Sequence, residues 1–192
     1  MKILFLSQRF LYPMDTGGKI RTGKILEQLN RHFKITVTSN LESPKDDKYL
    51  EMMNNLCSSF VAVPWKEVKK HTVKFYIKLF FQIFSRYPVN VLNDYSLAIQ
   101  NKIKELLKKE KHDLLICDFL QSSLICQGIN EYPKVLFQHN VESIIAKRHV
   151  ENAKYLVVKF FWWLQWKKMF SFELQFLFFS TGLFEHSVIK SG

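Results

Sequence analysis

The chain has 192 residues, 47% of them hydrophobic and 23% charged; this fits one folded α/β domain and excludes a disordered chain. The formal net charge of +11 favours an anionic partner, either a nucleotide phosphate, an acidic membrane leaflet or nucleic acid, with lysines that merely solubilise helix surfaces as an equal alternative. Three cysteines without a CxxC motif exclude a disulfide framework and indicate reduced core thiols in a cytoplasmic protein.

Strands and helices are predicted to alternate from the N-terminus. The apolar run Lys2–Ser7 predicts a buried parallel strand, a loop follows, and apolar spacing predicts a helix over about residues 19–31. Four further strands are predicted at Phe33–Ser39, Phe60–Pro64, Asp113–Phe119 and Lys134–Gln138. This order is typical of a Rossmann-like, doubly wound parallel sheet.

The later helices are predicted from spacing and from one cap. Val68–Ile83 repeats at helical spacing with lysines between the apolar positions, and Asp94 is predicted to cap a helix that runs to about Lys109. From about Ser143 onward the pattern is largely helical. Tyr155–Phe184 is the longest apolar stretch, but its central lysines and glutamate argue against a membrane span.

The loop after the first strand carries the first candidate binding motif, Pro13–Arg21 (PMDTGGKIR). Gly17 and Gly18 lack Cβ atoms and would let a ligand approach the backbone closely. The helix that follows offers free N–H groups and a positive dipole end suited to a phosphate, with Lys19 and Arg21 beside it. A tight turn without a ligand is the alternative. The motif is neither GxGxxG nor a P-loop, so neither a dinucleotide nor a P-loop nucleotide site is supported.

A second candidate motif, QHNVE, leaves the fifth predicted strand. Ligands of open parallel sheets bind at the carboxyl ends of the strands, so His139, Asn140 and Glu142 could line such a crevice. His139 could donate a hydrogen bond to a sugar hydroxyl or phosphate oxygen, or carry a proton. Glu142 could orient the imidazole or bind a hydroxyl. A turn and cap before the next helix is the alternative.

Asp118, at the end of the fourth predicted strand, either faces the same crevice or caps the short helix after it. No His/Cys cluster predicts a metal site, and no nucleophile signature is present. Nucleic-acid binding would lack an RNP, zinc-finger or helix-turn-helix signature, so we expect no nucleic-acid partner.

Three segments together resemble a known family: MKILFLSQRFLYPMDTGGKIRTGKILEQL, FQHNVESIIAKRH and WWLQWKKMFSFE. In this order they resemble the N-terminal domain of glycosyltransferase family four, of the type found in bacterial surface-polysaccharide clusters. The resemblance covers roughly residues 1–173 and implies the N-terminal half of a GT-B architecture, with a Rossmann-like acceptor-side domain and a separate donor-binding domain.

The resemblance also implies residue roles. A sugar would move from a nucleotide-sugar donor, a substrate and not a cofactor, to a polysaccharide or lipid-linked glycan acceptor, with retention and without an essential metal. Gly17, Gly18 and Arg21 would lie against the donor diphosphate, and His139 near the transferred sugar. The acceptor would meet residues at the ends of the fourth and fifth strands and in the next helix: Asp118, Asn140, Glu142 and Arg148.

The C-terminal segment departs from the family. Residues 174–192 are unusually apolar, and we expect an irregular segment there. The chain stops near the expected linker, so the donor-binding domain is expected to be missing or separate and the chain inactive alone, as a fragment, a truncated product or half of a split enzyme. A non-catalytic glycan- or partner-binding module of the same fold is the alternative function.

Two basic amphipathic segments, Val68–Ile83 and Tyr155–Phe172, predict a possible contact with an anionic membrane surface. The expected location is the cytoplasm, with peripheral attachment to the inner face of the plasma membrane as a further candidate. In the alternative, both apolar faces pack on the sheet or meet the missing domain.

Overall fold

The structure is a computed structural model that describes residues 1–66 and 72–188. The chain divides into two compact units, one made of Met1–Glu67 with Tyr95–Phe137 and the other of Val68–Asp94 with Gln138–Gly192. The helices are, in chain order, α1 (Gly17–Leu29), α2 (Leu50–Leu56), α3 (Val73–Ile83), α4 (Val89–Asp94), α5 (Leu97–Lys109), α6 (Glu142–Asn152) and α7 (Leu156–Val188). Short 3-10 turns lie at Asp47–Tyr49 and Leu120–Leu124.

The first unit is built on a five-stranded sheet in the order β3-β2-β1-β4-β5, and every neighbouring pair is parallel. The strands are β1 (Lys2–Ser7), β2 (Lys34–Leu41), β3 (Ser59–Pro64), β4 (Leu114–Asp118) and β5 (Lys134–Phe137). All five predicted strands are confirmed within two residues of their predicted ends. The α/β, Rossmann-like, doubly wound fold class is therefore confirmed.

Both faces of the central strand β1 are buried, because successive side chains of a strand point to opposite faces. Ile3 and Phe5 pack in a cluster with Leu26 of α1 and Met53 of α2. Leu4 and Leu6 pack in a second cluster that includes residues of α5 and β4: Ile99, Ile103 and Leu115. Helices therefore cover the sheet on both sides, which explains why its strands are continuous apolar runs.

The three thiols lie in this unit and are free and buried. Burial raises the pKa of Cys57 to about 11, so the thiol stays protonated at neutral pH. Cys117 and Cys126 contact each other, with a distance of 2.9 Å between their sulfur atoms. These are core thiols, as the sequence predicts.

The predicted cap of α5 is wrong. Asp94 is the last residue of α4, whereas α5 begins at Leu97. Its cap is Ser96, whose extended backbone lets the hydroxyl oxygen accept a hydrogen bond from the Ile99 amide at 3.3 Å. Serine and aspartate cap helices about equally well, so residue type does not show which of the two caps α5. The cap is Ser96 because it directly precedes Leu97, the first apolar residue of the helix.

The second unit consists of α3, α4, α6 and α7. The helical prediction for Val68–Ile83 is confirmed from Val73 onward, where the Thr72 hydroxyl accepts a hydrogen bond from the Phe75 amide; residues 68–71 lie outside the described residues. Among the residues that the structure describes, no helix is both long and apolar enough to cross a membrane.

The prediction of an irregular segment over residues 174–192 is wrong up to Val188, because α7 continues to that residue. Residues 189–192 lie outside the described part. The segment contains no proline, and most of its side chains are compatible with a helix. The helix therefore tolerates Gly182 at a cost of about 1 kcal/mol relative to alanine.

We expect Ser96→Ala to destabilise the chain by about 1 kcal/mol, because the Ile99 amide at the start of α5 loses its acceptor. Ser96→Thr keeps a hydroxyl and should retain most of the stability. Urea unfolding followed by circular dichroism measures both variants. An unchanged midpoint for Ser96→Ala would show that this cap contributes nothing.

Candidate functional site

The first candidate site lies where the order of strands reverses. The chain proceeds from β1 to β2 and β3 on one side of the sheet, then crosses to β4 and β5 on the other. β1 and β4 are neighbours, and Ser7 pairs with Asp118 at their carboxyl ends. In open α/β sheets the crevice outside the carboxyl ends of two such strands is where ligands bind.

Asp118 is fully buried at this point and holds the start of α1 against the strand ends. Its carboxylate accepts hydrogen bonds from the Thr22 hydroxyl, at 3.1 Å to each oxygen, and from the Ser7 hydroxyl at 3.4 Å. Thr22 is equally buried. Asp118 is thus buried and not exposed to a crevice, and the residue at the cap position of the following 3-10 turn is Phe119.

The two glycines at the start of α1 differ in their surroundings. A Cβ atom added at Gly17 would meet nothing within 4 Å. A Cβ atom added at Gly18 would lie 2.8 Å from Cζ of Phe119, closer than real Cβ contacts. Gly18 therefore makes room for the half-buried Phe119 ring, whereas Gly17 leaves open space beside the helix end.

Phe119 occupies a backbone conformation that is unusual for its residue type. Its φ of 65° lies in the left-handed region, where a bulky residue is strained. Its amide donates to the carbonyl oxygen of Phe137 at 3.0 Å, and the Arg21 guanidinium lies 5.0 Å from the centre of the Phe137 ring. Strained backbone of this kind often occurs at functional sites.

We call these residues of the first unit the switch-point cluster: Ser7, Gly18, Arg21, Thr22, Asp118, Phe119 and Phe137. Gly18 and Thr22 lie four residues apart on α1, and Arg21 lies three residues after Gly18, so one helix face carries all three. The structure thus brings together three predicted site residues, Gly18, Arg21 and Asp118, in one cluster.

The first turn of α1 is electropositive. The Thr16 side chain makes no capping hydrogen bond, and the turn contains no acidic residue. Lys19 forms an ion pair with Asp15 at 3.2 Å, and this hydrogen-bonded ammonium lowers the pKa of the Asp15 carboxyl. The charge of Lys19 is thus offset by Asp15, and the exposed Arg21 adds the net positive charge. The dipole and Arg21 together favour an anion at this helix end.

The QHNVE motif forms the turn into α6 in the second unit. His139 is half-buried, Asn140 is exposed and Glu142 is the first residue of α6. The Gln138 side-chain amide donates to the Asn140 carbonyl oxygen at 2.7 Å. Arg148 is exposed and lies six residues into α6, so it does not share the turn with the other three predicted residues.

Glu173, a residue that the sequence analysis did not assign to the site, fixes this turn from α7. Its buried carboxylate accepts hydrogen bonds from the Gln138 side chain at 2.9 Å and from the backbone amides of Glu142 at 2.7 Å and Ser143 at 3.2 Å. It thus acts as a cap supplied from another helix. The sequence offers one signal for this role: Glu173 is the only acidic residue between Leu156 and Phe176.

Known proteins give no guide to this arrangement. No family model, no curated protein and no solved structure matches the chain. Within the part of the chain that the structure describes, no group of three or more His, Cys, Asp and Glu side chains is placed to hold a metal ion.

We expect Gly18→Ala to be less stable than Gly17→Ala by about 1–3 kcal/mol, because only the first methyl group collides with the Phe119 ring. Both changes gain a similar helix propensity, so the pair is matched. Urea unfolding measures the difference, which should vanish when Phe119→Ala is combined with each change. A difference that persists without the ring would contradict the packing role.

We expect Glu173→Ala to destabilise the second unit by about 2–3 kcal/mol, because two backbone amides, one of them buried, and one side-chain amide lose a charged acceptor. Tryptophan fluorescence during urea unfolding reports on this unit, since Trp162, Trp163 and Trp166 lie on α7. The exposed Glu151→Ala is the matched control and should change little. Equal midpoints for the two variants would show that Glu173 does not cap α6.

Proposed function

We propose that this chain is the N-terminal, acceptor-side domain of a retaining glycosyltransferase. It would act with a donor-binding domain to move a sugar from a nucleotide-sugar to a polysaccharide or lipid-linked glycan. The observation that carries the proposal is the electropositive start of α1, with open space at Gly17, beside the sheet's switch point. The resemblance of the three sequence segments to glycosyltransferase family four adds to it.

In this proposal the first turn of α1 stabilises the leaving diphosphate. During transfer the bond from the anomeric carbon to the diphosphate oxygen breaks, the new bond forms to the acceptor hydroxyl oxygen, and the acceptor proton passes to the leaving phosphate. Negative charge therefore builds up on the diphosphate. Backbone N–H groups beside Gly17 and the exposed Arg21 guanidinium are suited to that charge.

The turn into α6 would contact the sugars. His139 is partly accessible, and its imidazole is suited to hydrogen-bond a sugar hydroxyl. The exposed Asn140 amide, with Glu142 and Arg148, would meet the acceptor. Glu173 would be a positioning residue, because it holds the backbone of this turn without touching substrate. Nucleotide-sugars are cytoplasmic substrates, so the reaction would take place on the cytoplasmic side.

A non-catalytic glycan- or partner-binding module of the same fold is the second candidate. The internal roles of Gly18 and Asp118 favour it. The Phe119 ring lies against Gly18, and the Asp118 carboxylate is wholly buried. Two residues expected to contact substrate are therefore used for packing.

Sugar transfer by the complete gene product distinguishes the two candidates. Radiolabelled nucleotide-sugars are offered together with the lipid-linked glycan fraction of the source cell. We expect Gly17→Trp and His139→Ala each to lower turnover by about 100-fold or more, because one blocks the diphosphate and the other removes a hydrogen-bond donor. Gly17→Ala, which the open space accommodates, and the exposed His32→Ala are the matched controls and should keep their activity.

Full turnover in both test variants would refute the site assignment. Absence of transfer from every donor, combined with binding of the glycan by the wild-type protein, would instead support the binding module. The variants and their controls must also unfold at the same midpoint. A loss of activity can then be assigned to the site and not to a loss of the fold.

A further inference from the structure

Helix α3 exposes an apolar stripe. None of its residues is buried, and the exposed large side chains recur every three or four positions at Val73, Tyr76, Ile77, Phe80, Phe81 and Phe84. Phe81 is 70% exposed and Phe84, directly after the helix, 75%. Apolar residues at this spacing form one face of a helix, and here that face is turned to solvent.

Helix α7, in the same unit, exposes a second stripe. Leu156, Phe160, Trp163, Phe170 and Leu174 are all exposed and follow alternating intervals of four and three residues, with Lys167 at the one remaining position. The opposite side of α7 carries the buried residues Gln165, Met169, Phe172 and Glu173. The exposed stripe is therefore not part of the core.

The exposed charges on α3 and on residues 156–176 of α7 are of one sign. α3 contains no acidic residue, and the Glu173 carboxylate of α7 is buried against the amides of α6. Lys74, Lys159 and Lys167 are exposed on the two helices. Lys168 is engaged with the carbonyl oxygen of Ile83, and burial lowers the pKa of its ammonium. The outward surface is thus aromatic and cationic.

We propose that α3 and the first half of α7 dock the second unit onto a bilayer that contains anionic lipid. The aromatic and aliphatic stripes enter the boundary between headgroups and acyl chains, and the three exposed lysines lie at the lipid phosphates. A second copy of this chain fits the surface less well, because it would place lysines opposite lysines. This inference does not depend on sugar transfer.

Flotation with lipid vesicles tests the docking. Vesicles of phosphatidylcholine with 30% phosphatidylglycerol, as an order of magnitude for an anionic leaflet, are compared with phosphatidylcholine alone at low salt. We expect the wild-type protein to float with the anionic vesicles. Bilayer-embedded brominated lipid should quench the fluorescence of Trp163, which lies on the α7 stripe.

Two variants separate charge from apolar insertion. Lys74→Gln/Lys159→Gln/Lys167→Gln should weaken binding by about 100-fold, since each lysine near an anionic surface contributes about five-fold. Phe81→Ser/Phe84→Ser should weaken it by at least about ten-fold and abolish the portion that survives high salt. Because all five side chains are exposed, both variants should keep the wild-type circular dichroism and unfolding midpoint.

The matched control removes the same charge from the first unit. Lys104→Gln/Lys108→Gln/Lys109→Gln on α5 should bind within about five-fold of the wild type. Equal loss in the control would overturn the docking surface in favour of diffuse attraction. Failure of the wild type to float at low salt would refute the proposal, and so would a dimer that Phe160→Ser dissociates, because the stripe would then be covered by a second copy.

Discussion

The Asp118 carboxylate connects three parts of the first unit that are far apart in the chain. It accepts hydrogen bonds from Thr22 on α1 and Ser7 on β1 while it ends β4. A buried carboxylate is tolerated only when its lone pairs are occupied. The start of α1 is therefore held at the switch point, and the diphosphate site proposed there depends on that position.

The paired glycines differ in what surrounds them. Gly18 is required by the Phe119 ring, while the neighbouring Gly17 faces open space. The positive φ of Phe119 adds strain at the same place. Gly18 is thus needed for packing and Gly17 is not, and the two single substitutions report on the two positions separately.

Much of the fold follows from local pattern, but much of the site does not. The strands could be predicted because strands that are buried on both faces are continuous apolar runs. Ser96 was missed because both it and Asp94 are residue types that cap helices well. Asp94 ends α4 only three residues before α5 begins at Leu97, so two cap candidates lie close together. The hydrogen bonds of Asp118 join residues at least 96 positions apart in the chain, and those of Glu173 join residues at least 30 positions apart. No local sequence pattern encodes such contacts. The full length of α7 was missed because an apolar run without periodicity does not distinguish a helix from an irregular segment.

The capping of α6 by Glu173 has a consequence for selectivity. A glutamate side chain on α7 is a tethered anion with a high effective concentration, and a free phosphate must displace it before it can reach the amides of Glu142 and Ser143. At α1 the Thr16 hydroxyl offers no such competition. The two helix ends therefore differ in occupancy: a side-chain anion already fills the amides at the start of α6, whereas the cap residue of α1 supplies no side-chain acceptor to its first turn.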